Sequence, residues 1–258
     1  MEIHSLYIAH YRQHGAYLIV MKIAVVLPAY NEAARIGAVL ATLPVEIEGN
    51  EVMAVVVDDG SRDATSEVAK AYARVRVIRH RTNLGKGAAA KTGCDAACKL
   101  GAEVIVLMDS DGQHKTEDIS RMVAPLINSE VNQMVIGARE IGGSMPGMMR
   151  LGNQGLNWVI KMLFGVQCND SQSGFRAFTR EVYPSIRWAS SSYAMETEML
   201  ILAGYAGINL VEVPIETIYL DSYKGTTALD GLRIAKTLLK WRLLWFREYS
   251  SLESFSVS

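Results

Sequence analysis

The chain has 258 residues, a formal net charge of −1, and 50% apolar against 21% charged residues. That length and ordinary globular composition supply a core for one large α/β domain or two small ones, while the near-neutral balance gives no global field for nucleic acid, so no nucleic-acid partner is expected. Three cysteines, Cys94, Cys98 and Cys168, make no disulfide framework; they read as buried free thiols in a reducing cytoplasm.

Residues 1–21 read as an N-terminal extension. His4, His10, Arg12, Gln13 and His14 make it too polar for a signal-peptide core, and a strand opens at Met21-Lys22, which makes Met21 a candidate start. From there apolar runs alternate with helix-like segments. Ile23–Leu27 is the first buried strand, followed by the turn Pro28-Ala29-Tyr30-Asn31-Glu32 and an amphipathic segment, Ala34–Leu43. Val52–Val57 is the second, closing on Asp58-Asp59-Gly60-Ser61 before a helix from Ala64 to Ala73. Val75–Ile78 is the third, leading through Asn83-Leu84-Gly85-Lys86-Gly87 into a helix that ends at Leu100. Val104–Met108 is the fourth and runs into Asp109-Ser110-Asp111; a helix over Glu117–Asn128 and a fifth strand at Met134–Gly137 follow.

This alternation predicts a mostly parallel sheet with helices on both faces. It puts every polar cluster at the C-terminal end of a strand, where open α/β sheets bind ligands. Beyond Gly142 the rhythm changes to a glycine-rich loop, helical patterning to Phe164, a short segment Gly174–Phe178, a helix around Glu196–Ala206 and a strand near Asn209–Val213. No linker separates two domains, and no stretch reaches the ~18–20 apolar residues of a membrane span.

Asp109-Ser110-Asp111 carries the strongest chemical signal. Alternation along an extended chain points residues i and i+2 the same way, and two adjacent carboxylates repel unless a cation sits between them. A hard divalent ion, Mg²⁺ or Mn²⁺, takes such oxygens and completes its shell with substrate phosphates; Gln113 and His114 follow within reach. The motif alone also fits a plain polar turn. Gly85-Lys86-Gly87-Ala88-Ala89-Ala90 matches the outline of a dinucleotide fingerprint, with an acid about twenty residues on. However, Lys86 stands inside the glycine turn and that acid belongs to the paired-acid motif. The strand ends are read instead as one nucleotide-diphosphate site. Pro28, Tyr30 and Glu32 would lie beside the base, Asp58 and Asp59 would accept hydrogen bonds from base or ribose, Lys86 would help hold the nucleotide, and Asp109, Ser110 and Asp111 would meet the pyrophosphate.

The ordered set of motifs resembles family 2 glycosyltransferases of the dolichol-phosphate mannose/glucose synthase type, from roughly Lys22 to Arg242. It comprises Leu27-Pro28-Ala29-Tyr30-Asn31-Glu32, Val57-Asp58-Asp59-Gly60-Ser61-Arg62-Asp63-Ala64-Thr65, Asn83-Leu84-Gly85-Lys86-Gly87, Asp109-Ser110-Asp111-Gly112-Gln113-His114, Gly137-Ala138-Arg139, Asp170-Ser171-Gln172-Ser173-Gly174-Phe175-Arg176-Ala177-Phe178, Glu196-Thr197-Glu198-Met199 and Val211-Glu212-Val213-Pro214-Ile215. The resemblance implies a GT-A fold over residues 22–228, a Rossmann-like, mostly parallel sheet flanked by helices. It also implies inverting transfer of a hexose from a UDP- or GDP-linked donor to a polyprenyl (dolichyl) phosphate.

By the same resemblance Asp59 is the nucleoside-binding acid, and Asp109, Asp111 and Gln113 form the metal and diphosphate site. Arg139 and Arg150 face the acceptor phosphate. Asp170, Gln172, Ser173 and Arg176 line the sugar pocket, and Glu198, beside Glu196, touches the sugar or orients an arginine. A surface ion pair, a capped turn and a solvated helix face are the plain alternatives for these three groups. A phosphate monoester has a second pKa of roughly 6 and needs little help from a base; Asp170 or Glu198 matters as a base if the acceptor is a hydroxyl. A soluble-glycan acceptor and a non-catalytic nucleotide-sugar-binding subunit therefore stay open.

Residues 229–258 form the last region. Over Leu229–Tyr249 apolar residues alternate with Arg233, Lys236, Lys240, Arg242 and Arg247, and Trp241 and Trp245 are added. This reads as an amphipathic helix lying on a bilayer, with the protein peripheral on the cytoplasmic face, or as an ordinary helix packed on the sheet.

Overall fold

The computed structural model describes residues 20–127, 129, 131–139, 147–192, 194–216 and 218, together with 12–13, 16–17, 238 and 241–242. Arg12–Gln13 (β1) and Ala16–Tyr17 (β2) form a small antiparallel pair. Uninterrupted runs of Val, Ile, Leu and Ala, which fill a pleated surface on both faces, make the inner strands of the main sheet. β3 (Lys22–Ala29) is buried beyond its first residue and lies parallel to both β5 (Asn50–Asp58) and β7 (Val104–Leu107). β6 (Val75–Arg79) extends the parallel set beyond β5, and β4 (Glu46–Ile47) turns back antiparallel onto the start of β5. On the other side β9 (Arg176–Thr179) runs antiparallel between β7 and β8 (Gln133–Arg139), and β10 (Asn209–Ile215) pairs parallel with β8.

Alternation divides β3 between two cores. Ala24 and Val26 face α3 (Lys86–Lys99), α5 (Gly147–Phe164), α6 (Tyr183–Ile186) and α7 (Met195–Tyr205). Ile23, Val25 and Leu27 face α1 (Ala33–Thr42), α2 (Thr65–Lys70) and α4 (Asp118–Val123). Helices thus cover both faces, and the strand ends are left as the open edge.

Two helices stop earlier than their apolar pattern. α2 closes through short bonds from Ala71 N–H to the Val68 carbonyl and Tyr72 N–H to the Ala69 carbonyl, the i→i−3 tightening common at helix ends. α4 ends before Pro125, which has no N–H to donate and disfavours continuation. The segment read only as Gly174–Phe178 contains the internal strand β9, which at four residues is too short for periodicity to reveal.

Of the expected amphipathic helix over Leu229–Tyr249, only residues 238 and 241–242 are described. Leu238 is fully buried in the α3–α5–α7 core and Trp241 is half-buried against it. At these positions the segment packs on the fold, while Trp245 lies outside the described residues. No helix among the described residues is long and apolar enough to cross a membrane.

Candidate active site

Register places the ends of three parallel strands side by side, with Ala29 opposite Asp58 and Val26 opposite Leu107. The turns that follow them therefore meet over one sheet edge. After β3 the chain reverses at Asn31, whose φ of 55° lies in the left-handed region that Asn tolerates better than most residues. Asn31 N–H donates to Ser61 Oγ at 2.9 Å, Asn31 Oδ1 accepts from Arg62 N–H at 2.8 Å, and Glu32 N–H donates to Thr65 Oγ1 at 2.9 Å. These bonds staple the first turn to the second and leave Tyr30 with 40% of its surface exposed, an aromatic face available to a base. Pro28 contributes through its carbonyl, which accepts the Ser110 hydroxyl at 2.7 Å. Ser110 is thus a brace between the β3 and β7 turns.

The other nucleotide contacts expected here are committed inward. Glu32 is buried and pairs with Arg35 at 3.0 Å. Asp58 has no exposed surface, accepts from Ser61 N–H at 2.7 Å and from the Ser66 hydroxyl, and forms an ion pair with Arg79 at 3.6 Å. Burial opposes its charge, but these partners hold its carboxyl below the usual range. Asp59, 2% exposed, accepts from Leu84 N–H at 2.9 Å and Gly85 N–H at 2.8 Å and meets His80 Nδ1 at 2.7 Å. Three of the roughly four acceptor positions of that carboxylate are filled by the chain itself. Asp58 and Glu32 thus brace the turns from within, and Asp59 sets the turn that delivers Lys86.

That turn is no dinucleotide cradle. Gly85 has φ 98°, and a Cβ there would lie 2.3 Å from the Ser191 carbonyl oxygen. The Gly87 and Ala88 N–H groups at the start of α3 both donate to this same oxygen, at 2.9 and 3.4 Å. The glycines admit a neighbouring loop, and the loop fills the helix N-terminus. Trp188 Nε1 donates to the Gly87 carbonyl at 2.8 Å, and Glu198 accepts from Ala189 and Ser190 N–H at 2.8 and 2.9 Å. Glu198 thus holds this loop, with both oxygens accepting backbone amides.

Lys86, delivered by the same turn, is held between two acids. Its Nζ lies 2.6 Å from Asp109 Oδ1 and 2.9 Å from Glu196 Oε1. Burial disfavours its charge, yet the two acids outweigh that and hold its pKa above the ordinary lysine value. Asp109 is also opposed by burial, but Lys86 and His114 keep its carboxyl well below the usual range. His114 Nε2 stands 3.8 Å from Asp109 Oδ2 and its ring packs on Phe175 with centroids 5.1 Å apart. Asp109 rests against Gly174, where a Cβ would come within 2.6 Å of Oδ2.

Asp111 is pushed up by burial and by the neighbouring Asp109 charge, the repulsion expected of two carboxylates on one edge. Gln113, expected as a third ligand, donates through N–H to Asp111 Oδ1 at 3.0 Å and through Nε2 to Oδ2 at 2.9 Å. It aims Asp111. Among the described residues no three His, Cys, Asp or Glu side chains form a metal cage. Two repelling carboxylates are nevertheless the donor set used by Mg²⁺ or Mn²⁺ when waters and substrate phosphates complete the shell, so the residues present fit such an ion.

Across the site, Arg139 and Asp170 form a two-pronged ion pair, with Nε to Oδ2 at 2.6 Å and Nη2 to Oδ1 at 2.8 Å. Asn153 Nδ2 on α5 adds 3.0 Å to Oδ1, and Asp170 is 2% exposed. Both oxygens are thus committed within the protein, and Arg139 has a partner there. Arg176 is fully buried and donates to the Ser173 and Ser171 carbonyls at 3.0 and 2.9 Å; it shapes the loop from behind instead of lining a pocket. Gln172 Nε2 donates to Thr197 Oγ1 at 2.9 Å. Arg150 falls on α5, and its side chain lies outside the described residues. The sequence reading left Glu196 without a role of its own. Its one signal is its place beside Glu198 as the second acid in the first turn of a helix that is apolar further on.

The model of Glycosyl transferase family 2 matches residues 24–184, more than half of the chain. The chain belongs to that family. It is 33% identical over 245 residues to the UDP-N-acetylglucosamine–dolichyl-phosphate N-acetylglucosaminyltransferase of Methanococcus voltae, covering 86% of this chain and 96% of that one. The dolichyl-phosphate hexose transferase of Haloferax volcanii is 33% identical over 231 residues, with the same coverage of 86% and 96%. Among solved structures, glucosyl-3-phosphoglycerate synthase from Mycobacterium tuberculosis, in complex with Mn²⁺, UDP-glucose and phosphoglyceric acid, superposes with a TM-score of 0.66 at 25% identity, over 86% of this chain and 80% of that one. The fold is accordingly that of a GT-A-like glycosyltransferase.

Proposed function

We propose that this protein transfers a hexose, with inversion, from a nucleotide diphosphate sugar to a polyprenyl phosphate at a bilayer surface. The observation that carries this reading is the fate of the two candidate bases: Asp170 is locked to Arg139 and Asn153, and Glu198 to two backbone amides. A hydroxyl acceptor needs a base, whereas a phosphate monoester arrives largely ionised near neutral pH. The relatives named for dolichyl-phosphate acceptors support the same choice.

In this reading Tyr30 offers its ring to the base. Asp109 and Asp111 would hold Mg²⁺ or Mn²⁺, and such an ion would supply charge to neutralise the leaving diphosphate. Lys86 keeps a positive charge on the same side of the site. Asp170, fixed by Arg139 and Asn153, anchors the start of α5, one turn from Arg150, the cation assigned to the acceptor phosphate. α5 also exposes Trp158 and Met162, 63% and 65% accessible, beside Lys161, and carries no acidic residue. An apolar and basic helix face of this kind suits the headgroup region of a bilayer, and we assign it that role.

Incubation with labelled UDP- and GDP-hexoses and Mn²⁺ tests the proposal. With polyprenyl phosphate the label enters the chloroform phase. With polyprenol, which offers a hydroxyl in place of the phosphate, it stays in water. Label transferred to polyprenol or to a soluble glycan, and not to the lipid phosphate, would overturn the assignment of the acceptor.

A further inference from the structure

Lys86 stands between two unlike acids. Asp109 keeps 26% of its side chain exposed toward the open edge, while Glu196 keeps 4%. Glu196 opens α7 between the buried Met195 and Thr197. A buried carboxylate is costly unless its oxygens are hydrogen-bonded, and yet Glu196 Oε2 has no hydrogen-bond partner. Its Oε1 is engaged by Lys86 at 2.9 Å, and the buried Arg176 guanidinium attracts the carboxylate without a hydrogen bond to it.

Asp109 offers little room for two cations. Its Oδ2 is walled by Gly174, where a Cβ would lie 2.6 Å away, and faces His114 Nε2 at 3.8 Å. Its Oδ1 carries the Lys86 ammonium. A divalent ion bound through Asp109 and Asp111 would stand a few ångströms from that ammonium, and like charges at such a distance repel strongly even at the dielectric of a protein surface. The buried Glu196 oxygen is the nearby acceptor with spare capacity.

We infer that Glu196 is a positioning residue that receives the Lys86 ammonium when a divalent ion binds at Asp109 and Asp111, its second oxygen replacing the acceptor that Asp109 gives up. The inference rests on the proposed metal site. Lys86 pivots on Glu196 and stays beside the leaving diphosphate, so the site gains the ion without expelling its own cation.

Mn²⁺ alone is the probe, with the unbound ion measured by electron paramagnetic resonance. Glu196→Gln preserves shape but accepts an ammonium poorly, so Lys86 stays on Asp109 and Mn²⁺ affinity falls about tenfold, a coupling ordinary for charged neighbours. Lys86→Gln removes the competitor and raises affinity by about the same factor. Adding Glu196→Gln to Lys86→Gln then changes affinity by less than about twofold, because no ammonium is left to receive. Equal loss from Glu196→Gln in both backgrounds would mean that Glu196 acts only as a distant charge, and the handover would be wrong. Asp111→Asn separates this failure from that of the underlying reading: if it binds Mn²⁺ as tightly as the parent, the metal site itself is wrong and the handover falls with it. Should the glutamine variant not fold, Glu196→Asp keeps the charge on a shorter arm. It is expected to lose affinity only with Lys86 present, and a loss without Lys86 overturns the inference equally.

Discussion

Asp111→Ala loses sugar transfer by a factor on the order of 10³ or more, since the metal it helps to hold is worth several kcal/mol to the departing diphosphate, while the protein remains folded. The stability half of this expectation follows from the electrostatics. Burial and the adjacent Asp109 charge raise the Asp111 pKa, so its ionised form works against folding at any pH above both its folded and its unfolded pKa. Removing it relieves that repulsion. Among the described residues the hydrogen bonds lost are those from the two groups of Gln113, which solvent can satisfy at this partly exposed edge. Thermal melts should therefore place the variant at or slightly above the parent, the trade between function and stability common at active sites. Retained transfer by the variant in the presence of a chelator would contradict the metal role.

Arg139→Ala, by contrast, should destabilise the protein by about 3–5 kcal/mol, because it strands a buried carboxylate. Asp170 is 2% exposed and takes two side-chain bonds and one backbone bond from Arg139. The double variant with Asp170→Asn should recover much of the loss, since no uncompensated charge remains; coupling between contacting charges commonly reaches 0.5–3 kcal/mol. Urea denaturation of the two single variants and the double variant measures this directly. A loss below about 1 kcal/mol for Arg139→Ala, the range of exposed pairs, would show that the pair is not buried in solution. Because of this effect, transfer by Arg139→Ala reports on acceptor binding only after correction for the folded fraction.

Sequence pattern sufficed for the parallel strands, since each is an apolar run whose two faces are both covered, and for the convergence of polar turns at their ends. It could not reveal β9, a four-residue strand inside the sheet, or β4, a two-residue return. Their place is set by long-range pairing and not by local periodicity. For the site, residue types pointed to the right edge but not to the partner of each charge. Asp58, Glu32, Asp170 and Glu198 have the chemistry of ligand contacts, and each is also paired within the protein: Asp58 and Glu198 by backbone amides, Asp170 by Arg139 far along the chain, and Glu32 by Arg35 one helical turn away. The Ser191 carbonyl seated on α3 is invisible in sequence, because the two segments lie about a hundred residues apart and meet only through packing. Glu196 was obscured for the opposite reason: it is one of two acids in the first turn of α7, a pattern that reads as favourable charge on the helix dipole, and its burial against Lys86 is what marks it out.

The most direct measurement of the central claim is anomalous scattering from Mn²⁺ in crystals grown with a nucleoside diphosphate. The account predicts one strong peak at the ends of β3 and β7, within about 2.3 Å of carboxylate oxygens of both Asp109 and Asp111, with diphosphate oxygens completing the shell. A peak elsewhere, or diphosphate bound at this edge with no manganese between it and the two acids, would contradict it.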